Sequence, residues 1–187
     1  MPITGLSPNG GPVEDTPGKP LAARPMSLGG ATLAVLSNGL FNSGVFFDAL
    51  VEELAVRDAY ADVVRVTKDS RAVPPRPEEW ESITASATIA ITGFGGCGSC
   101  SARSMRDALE LEWAGIPSLL ICHSALQPSA AAIARIAGHP DYPMFIVDYP
   151  YAPLATWTDE EAETLGRAIA PEVRDMLVAA PALDAAV

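Results

Sequence analysis

Soft metal ligands are scarce in this chain, with 3 cysteines and 2 histidines among 187 residues. A structural zinc site takes about four such donors. Here they amount to one Cys-x-x-Cys pair, a lone Cys122, His123 and His139, so a metal centre is disfavoured. Positive charge is also short: 12 Lys and Arg face 23 Asp and Glu, for a formal net charge of −11. Nucleic-acid binders carry a basic face, so that partner class is argued against, and the acidity reads as solubility. No apolar run approaches the roughly 18 residues a membrane span needs, which argues against a membrane partner. The N-terminus lacks the basic start and apolar core of a signal peptide, and a cytoplasmic location is the expectation.

What is present is enough apolar material for a core: 49% hydrophobic and 19% charged residues, in a length that suits one domain. Residues 1–30 hold 6 Gly and 6 Pro and form no periodic pattern, which predicts an extended arm, either a flexible tail or an arm lying on a second subunit of a homo-oligomer. From residue 31 short apolar runs alternate with amphipathic segments. Strands are expected at 31–37, 62–68, 88–92, 117–122 and 143–147; helices at 44–59, 78–86, 101–114, 127–137 and from Thr158 onward. Pro77 suits a first helical position, and Thr158 with Glu161 has the spacing of a capping box. Trp80, Trp113 and Trp157 read as packing or surface residues. Arg103 with Asp107 and Arg106 with Glu110 read as surface pairs at i, i+4.

This alternation predicts an α/β domain over 31–180, a single doubly wound, Rossmann- or flavodoxin-like, mostly parallel five-stranded sheet, with a tail at 181–187. Such sheets bind ligands beyond the carboxyl ends of their strands. Asn38, Gly39 and Asn42 follow the first strand, Lys68 and Arg71 the second, Cys97 and Cys100 the third; Cys122 and His123 end the fourth, and residues 148–151 close the fifth. The alternative is a thioredoxin-like domain, which also sets a Cys-x-x-Cys at a helix start. Two strand–helix units precede the cysteines here, which favours the doubly wound sheet.

The segment Gly93-Phe94-Gly95-Gly96-Cys97-Gly98-Ser99-Cys100 joins the third strand to an amphipathic helix. Free N–H groups and the positive dipole end of a helix stabilise an anion, so a thiol there loses its proton more readily. Cys97 is thus a candidate nucleophile and Cys100 a candidate resolving thiol. The bland alternative is that both are small buried residues. Gly93-x-Gly95 is only a weak match to a dinucleotide-binding turn. The glycines Gly95, Gly96 and Gly98 are expected to bring backbone N–H groups to a substrate carboxylate or phosphate, with Ser99 and Ser101 as added donors. Asn38 and Asn42 either orient that substrate or serve turn chemistry. His123 is a substrate-site or acid/base candidate, or a satisfied strand-end histidine, and Cys122 a proton carrier or a core residue.

Gly96-Cys97-Gly98-Ser99-Cys100, with Asp107-Ala108-Leu109-Glu110-Leu111-Glu112, Gly115-Ile116-Pro117 and the upstream Leu36-Ser37-Asn38-Gly39, resembles the UGSC family. That family is named for a selenocysteine-Gly-Ser-Cys motif, with cysteine replacing selenocysteine in many members. The resemblance implies that Cys97 holds the selenocysteine position and Cys100 the second thiol, and that the chemistry resembles that of a thiol-dependent oxidoreductase. The chain departs from the family pattern at Gly96, where an acidic residue is expected, and at Ser101-Ala102-Arg103.

The expected function is therefore a thiol-dependent enzyme acting on a small, anionic substrate through a Cys97 thiolate, an oxidoreductase with Cys100 as resolving thiol. No cofactor is demanded beyond an external thiol or redox-protein reductant. Two alternatives stay open: non-redox thiol catalysis, as in a lyase, hydratase, dehydratase or isomerase, and a non-catalytic subunit or binding module, since this fold class hosts many functions.

Overall fold

Apolar runs of four to six residues, each flanked by a longer amphipathic segment, can bury both faces only as parallel strands between two helix layers. The computed structural model, which describes residues 18–148 and 157–179, has this arrangement. Along the chain come β1 (Thr32–Ser37), α1 (Ser43–Arg57), β2 (Asp62–Thr67), α2 (Pro77–Thr84), β3 (Ile89–Gly93), α3 (Gly98–Trp113), β4 (Ser118–His123), α4 (Gln127–Ile136), β5 (Met144–Val147) and α5 (Asp159–Leu177). A 3-10 turn at Ser124–Leu126 leads into α4. The strand order is β2-β1-β3-β4-β5 and every pair is parallel. This is the doubly wound sheet. A thioredoxin-like arrangement is overturned, because no antiparallel pair occurs among the described residues.

Alternation along the strands sorts the core into two faces. Leu33, Val35, Ile89, Ile91, Leu119 and Ile121 meet Phe46, Leu50 and Leu54 of α1 and Ile169, Val173 and Leu177 of α5. The intervening residues face the other way: Ala34, Leu36 and Ala90 pack on Ile83 of α2 and Leu111 of α3, while Leu120 and Cys122 pack on Met105 and Leu109 of α3 and on Ala130 and Ala134 of α4. Trp80, Trp113 and Trp157 each pack, partly buried, against one of these clusters. The helix ends follow local chemistry. Pro77 opens α2, and Thr158 caps α5, its hydroxyl accepting from the Glu161 N–H at 3.2 Å while the Glu161 carboxylate takes the Thr158 N–H at 2.8 Å.

Three expectations change. Residues 18–30 are extended but lie on their own domain rather than forming a free arm. Leu28 is buried in the core, and Leu21 packs beside α3 and α4. The Glu112 carboxylate, fully buried on α3, accepts from Arg24 at 2.6 Å, from the Ala22 N–H at 2.9 Å and from the Ser118 N–H at 2.8 Å. The Tyr142 hydroxyl donates to the Ser118 carbonyl at 2.7 Å and lies 3.1 Å from the same carboxylate. Burial and the Glu112 charge hold this phenol well above its usual range. Next, the pair Arg103–Asp107 is not at the surface. Asp107 is fully buried and binds Lys68, 39 residues away, at 2.6 Å. Finally, α3 begins at Gly98, three residues earlier than the apolar periodicity implied. The expectation for residues 149–151 lies outside the described residues.

Two outcomes test this architecture. Removing one partner of a buried, hydrogen-bonded charge cluster costs about 3–5 kcal/mol. Glu112→Ala should lower the urea unfolding free energy by that order and open residues 18–25 to limited proteolysis. On α5, a Cβ at Gly166 would fall 2.4 Å from the Phe46 carbonyl oxygen and 3.1 Å from the Leu50 nitrogen, both backbone atoms of α1. Helix propensity alone favours Ala over Gly by about 1 kcal/mol. Gly166→Ala should instead destabilise by about 1–3 kcal/mol, the usual cost of overpacking, in the same denaturation measurement.

Candidate functional site

The site lies where β1 and β3 run side by side and their connections diverge. Gly93 ends β3 with φ of +130°, where a Cβ would strike the Ile121 carbonyl oxygen at 2.4 Å, so only glycine lets the chain turn out of the sheet there. Phe94 follows, fully buried, and stacks on Phe46 with ring centroids 5.2 Å apart, which roots the loop in the core. β4 runs beyond the last paired residue of β3, so Cys122 and His123 flank this loop.

Cys97 is the N-cap of α3, and its sulfur accepts from the Cys100 N–H at 3.2 Å, as a capping oxygen ordinarily would. The Ser99 hydroxyl lies 3.4 Å from the same sulfur. Cys97 and Cys100 form a disulfide with their α-carbons 5.2 Å apart. The two cysteines differ in burial: Cys97 is half-buried, whereas Cys100 is 4% exposed. A reagent from solvent therefore meets Cys97 first.

Of the expected substrate-binding residues, the structure brings Ser99 and the α3 N-terminus to Cys97 and gives several others internal work. Asn38 is fully buried. With its amide oriented to satisfy its neighbours, it donates to the Phe94 carbonyl at 2.9 Å and accepts from the Gly95 N–H and the Ser104 hydroxyl at 3.2 Å each. It positions the cysteine loop, and the Gly95 N–H is already engaged. The Asn42 amide donates to the Trp157 carbonyl and so ties the β1 loop to the approach to α5. The glycines admit protein neighbours. A Cβ at Gly95 would sit 2.9 Å from the Asn38 amide and 3.1 Å from Cys100 Cβ; at Gly96, 2.7 Å from Leu40; at Gly98, 2.9 Å from Ser129 Oγ. Close packing against protein neighbours thus accounts for small residues at these positions.

Ser101 is 1% exposed, its hydroxyl enclosed near the Cys122 thiol. Burial pushes that thiol up, with the Ser101 hydroxyl and the His123 backbone partly offsetting it. Cys122 is accordingly a poor thiolate at neutral pH. His123 is 6% exposed, and its Nδ1 accepts from the Ala125 N–H at 3.0 Å, capping the 3-10 turn. This bond assigns the ring proton of the neutral imidazole to Nε2. Among the described residues no cluster of His, Cys, Asp and Glu is suited to a metal.

Contacts that the sequence did not reveal complete the frame. The Thr92 hydroxyl donates to the Ser104 carbonyl at 3.1 Å. Lys68 donates to Asp107 at 2.6 Å and to the Val73 carbonyl at 3.2 Å, fastening the loop after β2 to α3. Ser129 of α4 meets the start of α3 at Gly98. None of these contacts leaves a local spacing signal, since each links distant segments.

A model of the UGSC family matches residues 4–179. No curated protein matches the chain. Among solved structures, the flavodoxin-like domain of a protein from a Synechococcus species is similar, at 14% identity and a TM-score of 0.33, covering 76% of this chain and 98% of that one. The family match spans the extended segment at 18–30, the cysteine loop and all five strands, and the chain belongs to the UGSC family.

Proposed function

We propose that this protein is a thiol–disulfide oxidoreductase of the cytoplasm, with Cys97 as the exchanging sulfur and Cys100 as its resolving partner. The observation that carries the reading is the disulfide at the α3 N-terminus, with one cysteine half-buried and the other buried. Disulfides in reducing compartments are mostly transient and catalytic.

The chemistry runs as follows. An external thiolate attacks Cys97 Sγ, a mixed disulfide forms, the bond to Cys100 breaks, and Cys100 leaves as a thiolate that takes a proton from solvent. In the dithiol state the Cys100 N–H, the Ser99 hydroxyl and the helix dipole all face Cys97 and favour its thiolate. Attack by that thiolate on an oxidised substrate gives the same mixed disulfide. Cys100, held one helical turn away, then displaces the product and restores the intramolecular bond.

The reading predicts that reduced Cys97 is alkylated with an apparent pKa below the free value of about 8.5, measured by mass spectrometry across pH. Mild oxidation should re-form the Cys97–Cys100 bond. Cys100→Ser should accumulate a stable mixed disulfide at Cys97, and Cys97→Ser should abolish exchange. An acidic Cys97 that forms no reversible disulfide would favour non-redox thiol catalysis. An unperturbed, unreactive Cys97 would leave only a binding role.

A further inference from the structure

The loop after β1, which packs on the cysteine loop through Leu40, also presents an aromatic ring outward. Leu40 is buried against Gly96, the residue before Cys97. Phe41, next in sequence, is 66% exposed. Its φ of +28° lies in the left-handed region that side chains of this size rarely adopt. Strain of this kind persists only where neighbours hold it, and it gathers at ligand sites. The neighbours are present here. The Gly39 N–H donates to Ser37 Oγ at 3.2 Å, and the Ser43 N–H to the Leu40 carbonyl at 2.7 Å. A Cβ on Gly39 would meet the Lys68 carbonyl at 2.9 Å, so the loops after β1 and β2 are in contact.

Arg71 rises from that second loop, its guanidinium 5.3 Å from the centre of the Phe41 ring. The ring covers one side of the cation, and no carboxylate among the described residues pairs with Arg71. Its neighbour Asp69 is engaged by Arg76 at 3.4 Å. Lys68, spent on Asp107 and the Val73 carbonyl, fixes the loop that carries Arg71. The whole chain carries −11 charges, so its long-range field repels anions, and any selection for an anion must be local.

We propose that Phe41 and Arg71 form the recognition site for the carboxylate of a low-molecular-weight thiol or its disulfide, the partner that exchanges with Cys97. This rests on the redox reading above and names its substrate class. A guanidinium stacked on a ring keeps its in-plane N–H donors for a carboxylate, and the contact of Leu40 with Gly96 links the loop that carries Phe41 to the loop that carries Cys97. In the reducing direction two such thiols become one disulfide as the Cys97–Cys100 bond becomes two thiols; the oxidising direction reverses this.

The test compares reduction of the full-length protein's disulfide by 3-mercaptopropionate, 2-mercaptoethanol and cysteamine, each rate corrected for thiolate fraction. The carboxylate thiol should react about tenfold faster than the neutral one at low salt, an advantage that salt screens. Arg71→Ala and Phe41→Ala should remove the preference, Arg71→Lys should keep part of it, and the surface control Arg135→Ala should leave it intact. A non-exchanging probe, 3-(methylthio)propionate, should shift the NMR signals of Phe41 and Arg71 in wild type and not in Arg71→Ala. Equal rates for the three thiols, or an unchanged preference in Arg71→Ala, would overturn the proposal while leaving the redox reading standing. Reduction by a protein dithiol alone would also overturn it. A disulfide that no thiol reduces would sink the redox reading, and the NMR shifts would still decide whether the carboxylate is bound.

Discussion

The cysteine-bearing end of this protein depends on how two neighbouring parallel strands part. β1 sends the chain over one face of the sheet through α1, and β3 sends it over the other through α3. Their ends therefore leave a cleft that the sheet itself cannot fill. Asn38 fills it with one amide, bonded to both backbone groups of the loop it faces and to a hydroxyl on α3. Because the amide is buried, each of those bonds replaces a contact with water that the loop cannot regain. The positions of Gly95, Gly96 and Cys97 follow from that anchor, and the capping sulfur follows from Cys97.

The cysteine pair is thus built on a frame more rigid than its glycine content suggests. Glycine-rich loops are permissive in isolation, but each glycine here removes a Cβ that would collide with Asn38, Leu40 or Ser129. The loop is thin because it is crowded. Its far side is tied by a buried lysine–aspartate contact, which links the β2 loop to the same helix. Buried ion pairs give little net stability, and their clearest effect is to fix one geometry among several. Here the geometry fixed is the spacing between the β2 loop and α3.

Much of the architecture was legible in the sequence, because strands, helices and caps are written locally. The five apolar runs, Pro77 at a helix start and the Thr158–Glu161 box all act within a few residues of themselves. The start of α3 was misread for a local reason: Gly98 and Ser99 carry no apolar signal, and a cysteine cap is not the usual Ser, Thr, Asp or Asn. The roles of Asn38, Lys68 and Arg24 were hidden because each depends on a partner far along the chain. The cysteine motif and the family were readable for the opposite reason: they are carried by short contiguous segments, Gly96–Cys100 with Leu36–Gly39, Asp107–Glu112 and Gly115–Pro117. What the motif does not carry is the identity of a substrate.

The burial of Lys68 leaves the protein an unusual surface chemistry. The chain has 2 lysines, Lys19 and Lys68, and the second is sealed against Asp107. Amine-directed reagents and cross-linkers thus find a single accessible lysine side chain, on the N-terminal strap. The Lys19 ammonium lies 5.1 Å from the Trp113 ring centre, at the end of α3. A fluorophore coupled there would share its surroundings with that indole, turning the strap into an optical reporter of whether the N-terminal segment stays docked.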